Sequence, residues 1–190
     1  MYYALMYTVS YCSVGSSHHW ICTAHMSPDT VHIMDSMSLF MQTNITTILQ
    51  IAKIYQPSKY LLNVHKLSVQ QQEGTMDCGI FAVAFAVEVC VGNNVENVSF
   101  NQKKMRKHLY DCLSKGVMTP FPKMSSKLEH LPRPTCVERK LKVYCLCKMP
   151  EVADSKMISC DICNHWFHYS CVNLQFDEDP KYWECPLCLQ

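Results

Sequence analysis

The ordered spacing of eight cysteine and histidine residues between positions 145 and 188 constrains this chain more than any other feature. The pattern runs Cys145-x-Cys147, twelve residues, Cys160-x2-Cys163, four residues, His168-x2-Cys171, thirteen residues and Cys185-x2-Cys188. Zinc takes four nitrogen or sulfur donors at tetrahedral angles, and two cysteines two residues apart supply a pair of them from one tight turn. A segment this short cannot be held by burial alone. Two zinc ions, each worth on the order of 10–16 kcal/mol in a structural site, would supply the folding energy. The chain's thirteen cysteines would also suit a secreted disulfide scaffold. The pairing of seven of them with His168 instead reads as metal binding in a reducing compartment.

The ligand order, with histidine in fifth place, resembles the PHD finger family. That resemblance implies a cross-brace, with Cys145, Cys147, His168 and Cys171 on one zinc and Cys160, Cys163, Cys185 and Cys188 on the other. Trp183, two residues before Cys185, matches the family's core tryptophan. A RING finger places its histidine fourth, and the RING variant that shares this order lacks that tryptophan. PHD fingers read histone tails, and the inhibitor-of-growth type builds a methyl-lysine cage from three positions matched here by Tyr144, Met157 and Trp166. Aromatic faces attract a quaternary ammonium that cannot donate a hydrogen bond. Asp161 matches the acidic position that pairs with an arginine of the tail. Charge agrees, since residues 143–190 hold three Lys/Arg against seven Asp/Glu. An acidic module favours a basic partner, such as a histone tail, over DNA.

Upstream, the apolar residues 1–14 lack the basic start of a signal peptide, because no Lys or Arg precedes Lys53. They read as a buried strand. Residues 21–26 and 31–35 read as two strands joined by a turn at Ser27-Pro28-Asp29, and residues 59–67 as a third. Ile45, Ile48, Leu49, Ala52 and Tyr55 recur at helical spacing. Residues 78–91 are apolar almost all round and predict a buried helix, with Asp77 at its N-cap and Gly92 at its end. A second helix is expected over about 101–114, with Met105, Leu109, Cys112 and Leu113 inward and Lys103, Lys104, Arg106 and Lys107 as a solvated face. His25 and His32 read as ordinary strand residues, and Cys12, Cys22, Cys90, Cys112 and Cys136 as packed or incidental thiols. No segment is long and apolar enough to span a membrane.

Cys78 follows a loop and starts the buried helix, where free N–H groups and the helix dipole favour a thiolate. His19 begins one strand and Asp35 ends the next, so antiparallel pairing could bring them together. A Cys–His–Asp set uses the histidine as base and the aspartate to orient it, and Gln72 could supply an amide for the oxyanion. His19-Trp20, Asp35-Ser36-Met37 and Gln72 followed by Asp77-Cys78-Gly79 together resemble the ubiquitin-like-protein proteases, which include the SUMO-deconjugating enzymes. The resemblance implies His19 as base, Asp35 as its partner, Gln72 as oxyanion donor, Cys78 as nucleophile, and Trp20 covering the channel for the substrate's C-terminal glycines. Family domains carry a substantial lobe before the His-Trp pair, where this chain has 18 residues. The likeness therefore covers the catalytic second half, and activity is expected to suffer for want of that lobe.

The expected organisation is α+β, with a truncated papain-like protease-type domain at 1–118, a basic proline-containing linker at 119–141 and a zinc finger at 142–190. Residues 121–142 hold six Lys/Arg against two Asp/Glu. The expected function is cleavage after the C-terminal glycine of a ubiquitin-like modifier, brought to chromatin by a two-zinc histone reader; the expected location is the nucleus, with the cytoplasm as a further one. The alternatives are a chromatin adaptor with an impaired protease remnant and a RING-like ubiquitin ligase. Neither sequence-specific nucleic acid nor membrane is an expected partner.

Overall fold

A computed structural model describes residues 7–14, 17–27, 29–37, 51–55, 60–124, 137–151 and 155–189. Expectations resting on residues 45–50, on Cys136 and on the turn residue Pro28 lie outside those residues. The chain is α+β. Its main sheet has five strands in the order β1-β2-β3-β4-β5: β1 Tyr7–Val14, β2 Ser17–Ser27, β3 Thr30–Met34, β4 Leu61–Lys66 and β5 Val137–Lys142. The apolar N-terminal run contributes β1, antiparallel to β2. β2 and β3 form the expected hairpin, with Cys22 opposite Met34. β3 and β4 run parallel. Parallel neighbours require a crossover of a dozen or more residues, and it includes the helical residues 51–55.

Side chains alternate across this sheet. Ile21, Val31, Ile33, Leu62 and Val64 pack with Ile51, Ala52 and Tyr55 on one face. Cys22, Ala24 and Met34 pack on the other against helix α1, Cys78–Cys90. Within that second core the rings of Phe81, Phe85, Phe100 and Phe121 meet tilted or edge-on, with centroids 5.8–6.3 Å apart. Such geometry suits ring quadrupoles.

Three local expectations need correction. Asp77 holds the N-cap position of α1 but makes no side-chain cap. Its carboxylate instead accepts from Gln102 and Arg106 on helix α2, Gln102–Lys115. An ion pair between elements thus replaced a local cap, and Arg106 belongs to that pair rather than to a free solvated face. On α2, Met105 and Cys112 are buried, but Leu113 is 69% exposed because, among the described residues, no element covers the last turn.

Of the expected linker, residues 119–124 and 137–141 are described, and both stretches are tied to the first region. Phe121 is buried, and Lys123 pairs with Phe100 in a short bridge. The Lys123 ammonium also lies 2.9 Å from the carboxylate of Glu88, a fully buried acid on α1. Residues 137–142 then form β5, antiparallel to β4 from Leu61↔Lys142 to Lys66↔Val137. Polar composition hid this strand, since one residue in two would normally face a core and only Leu141 does so here.

The finger begins immediately after β5. Val143 is buried in the sheet's core, whereas Tyr144 packs in the finger's. The finger contains the two-stranded sheet β6, Met157–Ser159, and β7, Trp166–His168. Its core is Cys145, Cys160, Phe167 and Cys185, with Trp183 edge-on to Phe167 at 5.4 Å. Tyr60 clamps it to the sheet: its carbonyl accepts from the Val143 N–H, its ring lies 4.5 Å from that of His165, and the Lys148 ammonium sits 3.6 Å from its centre.

Candidate functional site

The eight spaced residues collect into two groups. Cys145, Cys147, His168 and Cys171 form one, Cys160, Cys163, Cys185 and Cys188 the other, and within each group the ligand atoms lie within 4.8 Å of one another. First and third pairs share one site, second and fourth the other, as in a cross-brace. The donor spacing fits zinc. Zn–S bonds of about 2.3 Å make a tetrahedron with edges of about 3.8 Å. Cys163 and Cys185 Sγ stand 3.7 Å apart, Cys160 and Cys188 Sγ 3.9 Å, and Cys147 Sγ to His168 Nδ1 is 3.4 Å. Each group is therefore built to hold one zinc ion. The turns that aim the ligands put Cys145, Lys148 and Asn164 at positive φ, of 64°, 53° and 57°. Backbone N–H groups of Cys163, Cys185 and Ile162 outweigh burial at Cys160 and bring its thiol down to about 6.

Of the expected cage residues, two lie on the β6–β7 pair and the third, Tyr144, packs against the finger's core. Met157 stands opposite His168 and Ser159 opposite Trp166, so Met157 and Trp166 share a face of the β6–β7 pair. Trp166 is 48% exposed. Its carbonyl accepts from the N–H of Cys145, the residue after half-buried Tyr144. Asp161 is exposed, and one of its carboxylate oxygens accepts the Trp183 N–H at 2.7 Å. Sequence reasoning missed Lys156, whose ammonium holds the carbonyls of Phe176 and Glu178 at 3.0 and 2.9 Å over the Tyr169 ring. It fixes the long loop between Cys171 and Cys185.

In the first region, His19 Nε2 lies 2.6 Å from Asp35 Oδ1, both buried. The β2–β3 register makes this contact, and Asp35 Oδ1 also accepts the Met37 N–H at 2.9 Å. With Nε2 committed, Nδ1 is the ring nitrogen that would act on a thiol. Cys78 is the buried first residue of α1, which packs across β2. Trp20 is partly exposed and lies over Gly79, where an added Cβ would come within 3.4 Å of the indole. Gln72 is held by Ser36: its N–H donates to the Ser36 carbonyl at 2.9 Å, and its Oε1 accepts from Ser36 Oγ at 2.7 Å. Its Nε2 donates to the Gly74 carbonyl. Ser36 adjoins Asp35 in sequence, a signal that could have marked its role. Lys66 Nζ, 3.8 Å from Asp35 Oδ2, could not have been found that way, since only the β3–β4 pairing brings it near. Burial lowers the pKa of Lys66, against the pull of Asp35.

Residues 145–188 match the PHD-finger family model. Relatives match over the same part. The lysine-specific demethylase phf2 of Danio rerio is 46% identical over 48 residues, which are 24% of this chain and 4% of the relative. The human lysine-specific demethylase 7A is 44% identical over 48 residues, 24% of this chain and 5% of that protein. The chromatin remodeling protein SHL of Arabidopsis thaliana is 38% identical over 42 residues, 22% of this chain and 18% of the relative. This chain thus spans a small fraction of the curated relatives it matches. The family match, together with Trp183 packed on Phe167, decides against a RING arrangement. Residues 145–188 form a PHD finger.

Proposed function

We propose that this chain is a chromatin reader that binds a histone tail bearing methylated lysine through its PHD finger, and works in the nucleus. One observation carries the reading: an exposed Trp166 shares a face with Met157 on a cross-braced two-zinc scaffold. An exposed indole face attracts a methylated ammonium, which cannot donate a hydrogen bond. Asp161, one residue after Cys160, offers the charge for the tail's arginine. Among the described residues β6 pairs with β7 alone, so its outer edge can accept an extended peptide by strand addition. Calorimetry with unmodified, mono-, di- and trimethylated histone-tail peptides tests this. Methylated peptides should bind best, and Trp166→Ala should weaken them tenfold or more, about 1.4 kcal/mol, with zinc content unchanged. Equal binding of all peptides by both proteins would sink the cage.

A second reading is favoured by the buried 2.6 Å contact between His19 and Asp35. It makes residues 1–118 a cysteine peptidase of the ubiquitin-like-protein type. The His19 imidazole takes the Cys78 proton, and the thiolate attacks the carbonyl of the modifier's terminal glycine. Gln72 donates to the oxyanion, the amine leaves with the proton from His19, and water then resolves the thioester. A ubiquitin-like modifier with a C-terminal electrophile separates the two readings. An adduct that disappears in Cys78→Ser supports the peptidase. No adduct alongside intact peptide binding leaves an adaptor.

A further inference from the structure

We infer that β5 is a phosphate-binding strand that lies along a DNA duplex beside the tail held by the finger. The inference goes beyond the reader assignment, which it uses only to choose the polyanion. Charge reverses abruptly along the chain, from six basic and two acidic residues over 121–142 to three and seven over 143–190. No partner of one sign suits both stretches. Chromatin presents a basic tail next to an acidic duplex.

Geometry assigns the basic half. β5 is the outermost strand of the main sheet, and Arg139, Lys140 and Lys142 on it are exposed. Among the described residues no carboxylate pairs with these three, because Glu138 turns to His65 at 3.8 Å. Lys140 and Lys142 share one sheet face about 7 Å apart, and Arg139 lies on the other. Long basic side chains on an edge strand can extend past the backbone from both faces, so all three charges can converge outside the edge. Among the described residues no strand pairs with the outer edge of β5, whose main-chain N–H groups add donors of the kind that position proteins on phosphates. The same lysines disfavour docking of another strand, which leaves a polyanion as the occupant. The acidic finger confines that contact to the strand.

The test is fluorescence anisotropy of the zinc-loaded chain with a mixed-sequence DNA duplex of about 20 base pairs, across a salt series. Each phosphate contact contributes about 0.9 to the slope of log K against log salt, so Arg139→Ala/Lys140→Ala/Lys142→Ala should lower the slope by about 2 to 3. Affinity in low salt should fall at least tenfold. The charge-reversed Arg139→Glu/Lys140→Glu/Lys142→Glu keeps the edge charged and should abolish binding. Both variants should hold two zinc ions and bind histone peptide like the parent, which separates this inference from the reader assignment. Unchanged duplex binding in the variants, absence of duplex binding in the parent, or tighter binding of an acidic peptide than of duplex would each overturn it.

Discussion

Cys147 and Cys188 meet zinc as thiols. Burial pushes Cys147 up to about 12, and the hydrogen bond that the Cys188 thiol gives to Cys185, together with burial, takes Cys188 to about 12. Metal ligation requires the thiolate. Groups whose pKa lies far above neutrality are protonated there and must release their protons as zinc arrives. Loading at pH 7 should therefore free at least two protons per molecule, and affinity should rise with pH; calorimetry in buffers of different ionisation enthalpy reads this directly. The ligands themselves were legible because spacing within a turn is a local property. His19 and Asp35 were legible from strand ends, since a hairpin makes its own register. Lys66 beside Asp35 and Lys123 beside Glu88 were not, because each contact joins elements distant in sequence.

Among the elements, α1 announced itself through fourteen nearly uninterrupted apolar positions. Its one internal acid, Glu88, gave no hint of a partner. The structure supplies Lys123 at 2.9 Å and Asn93 at 2.6 Å from Glu88 Oε2. Removing one partner from a buried charge costs more than the pair contributes. Lys123→Ala should thus destabilise the chain by about 1–2 kcal/mol, discounted because the lysine is partly solvated, and Lys123→Ala with Glu88→Gln should recover most of it. Urea unfolding monitored by circular dichroism measures both. β5 was illegible for a different reason. A strand whose residues are almost all solvated carries no alternation, so only pairing with β4 reveals it. The exposure of Leu113 was equally hidden, since periodicity shows which residues share a face but not whether anything covers it.

At the scale of the molecule, two kinds of stabilisation meet at one joint. Ring packing and sheet pairing hold residues up to Val143, and metal holds the finger from Tyr144 onward. A zinc chelator should therefore remove the amide protection of β6 and β7 while the amides of α1 and β2 stay protected, as hydrogen exchange by mass spectrometry would show. Loss of protection throughout would mean that the metal sites organise the sheet as well. The joint also decides where the chain can be cut. A cassette that starts at Tyr144 would leave behind Val143 in the sheet core and Tyr60 stripped of His165 and Lys148. Inserting a single residue there would turn every later side chain relative to β5. A seam before Val137 would instead take β5 from β4, so no boundary between Lys66 and Lys148 leaves both halves with all their contacts.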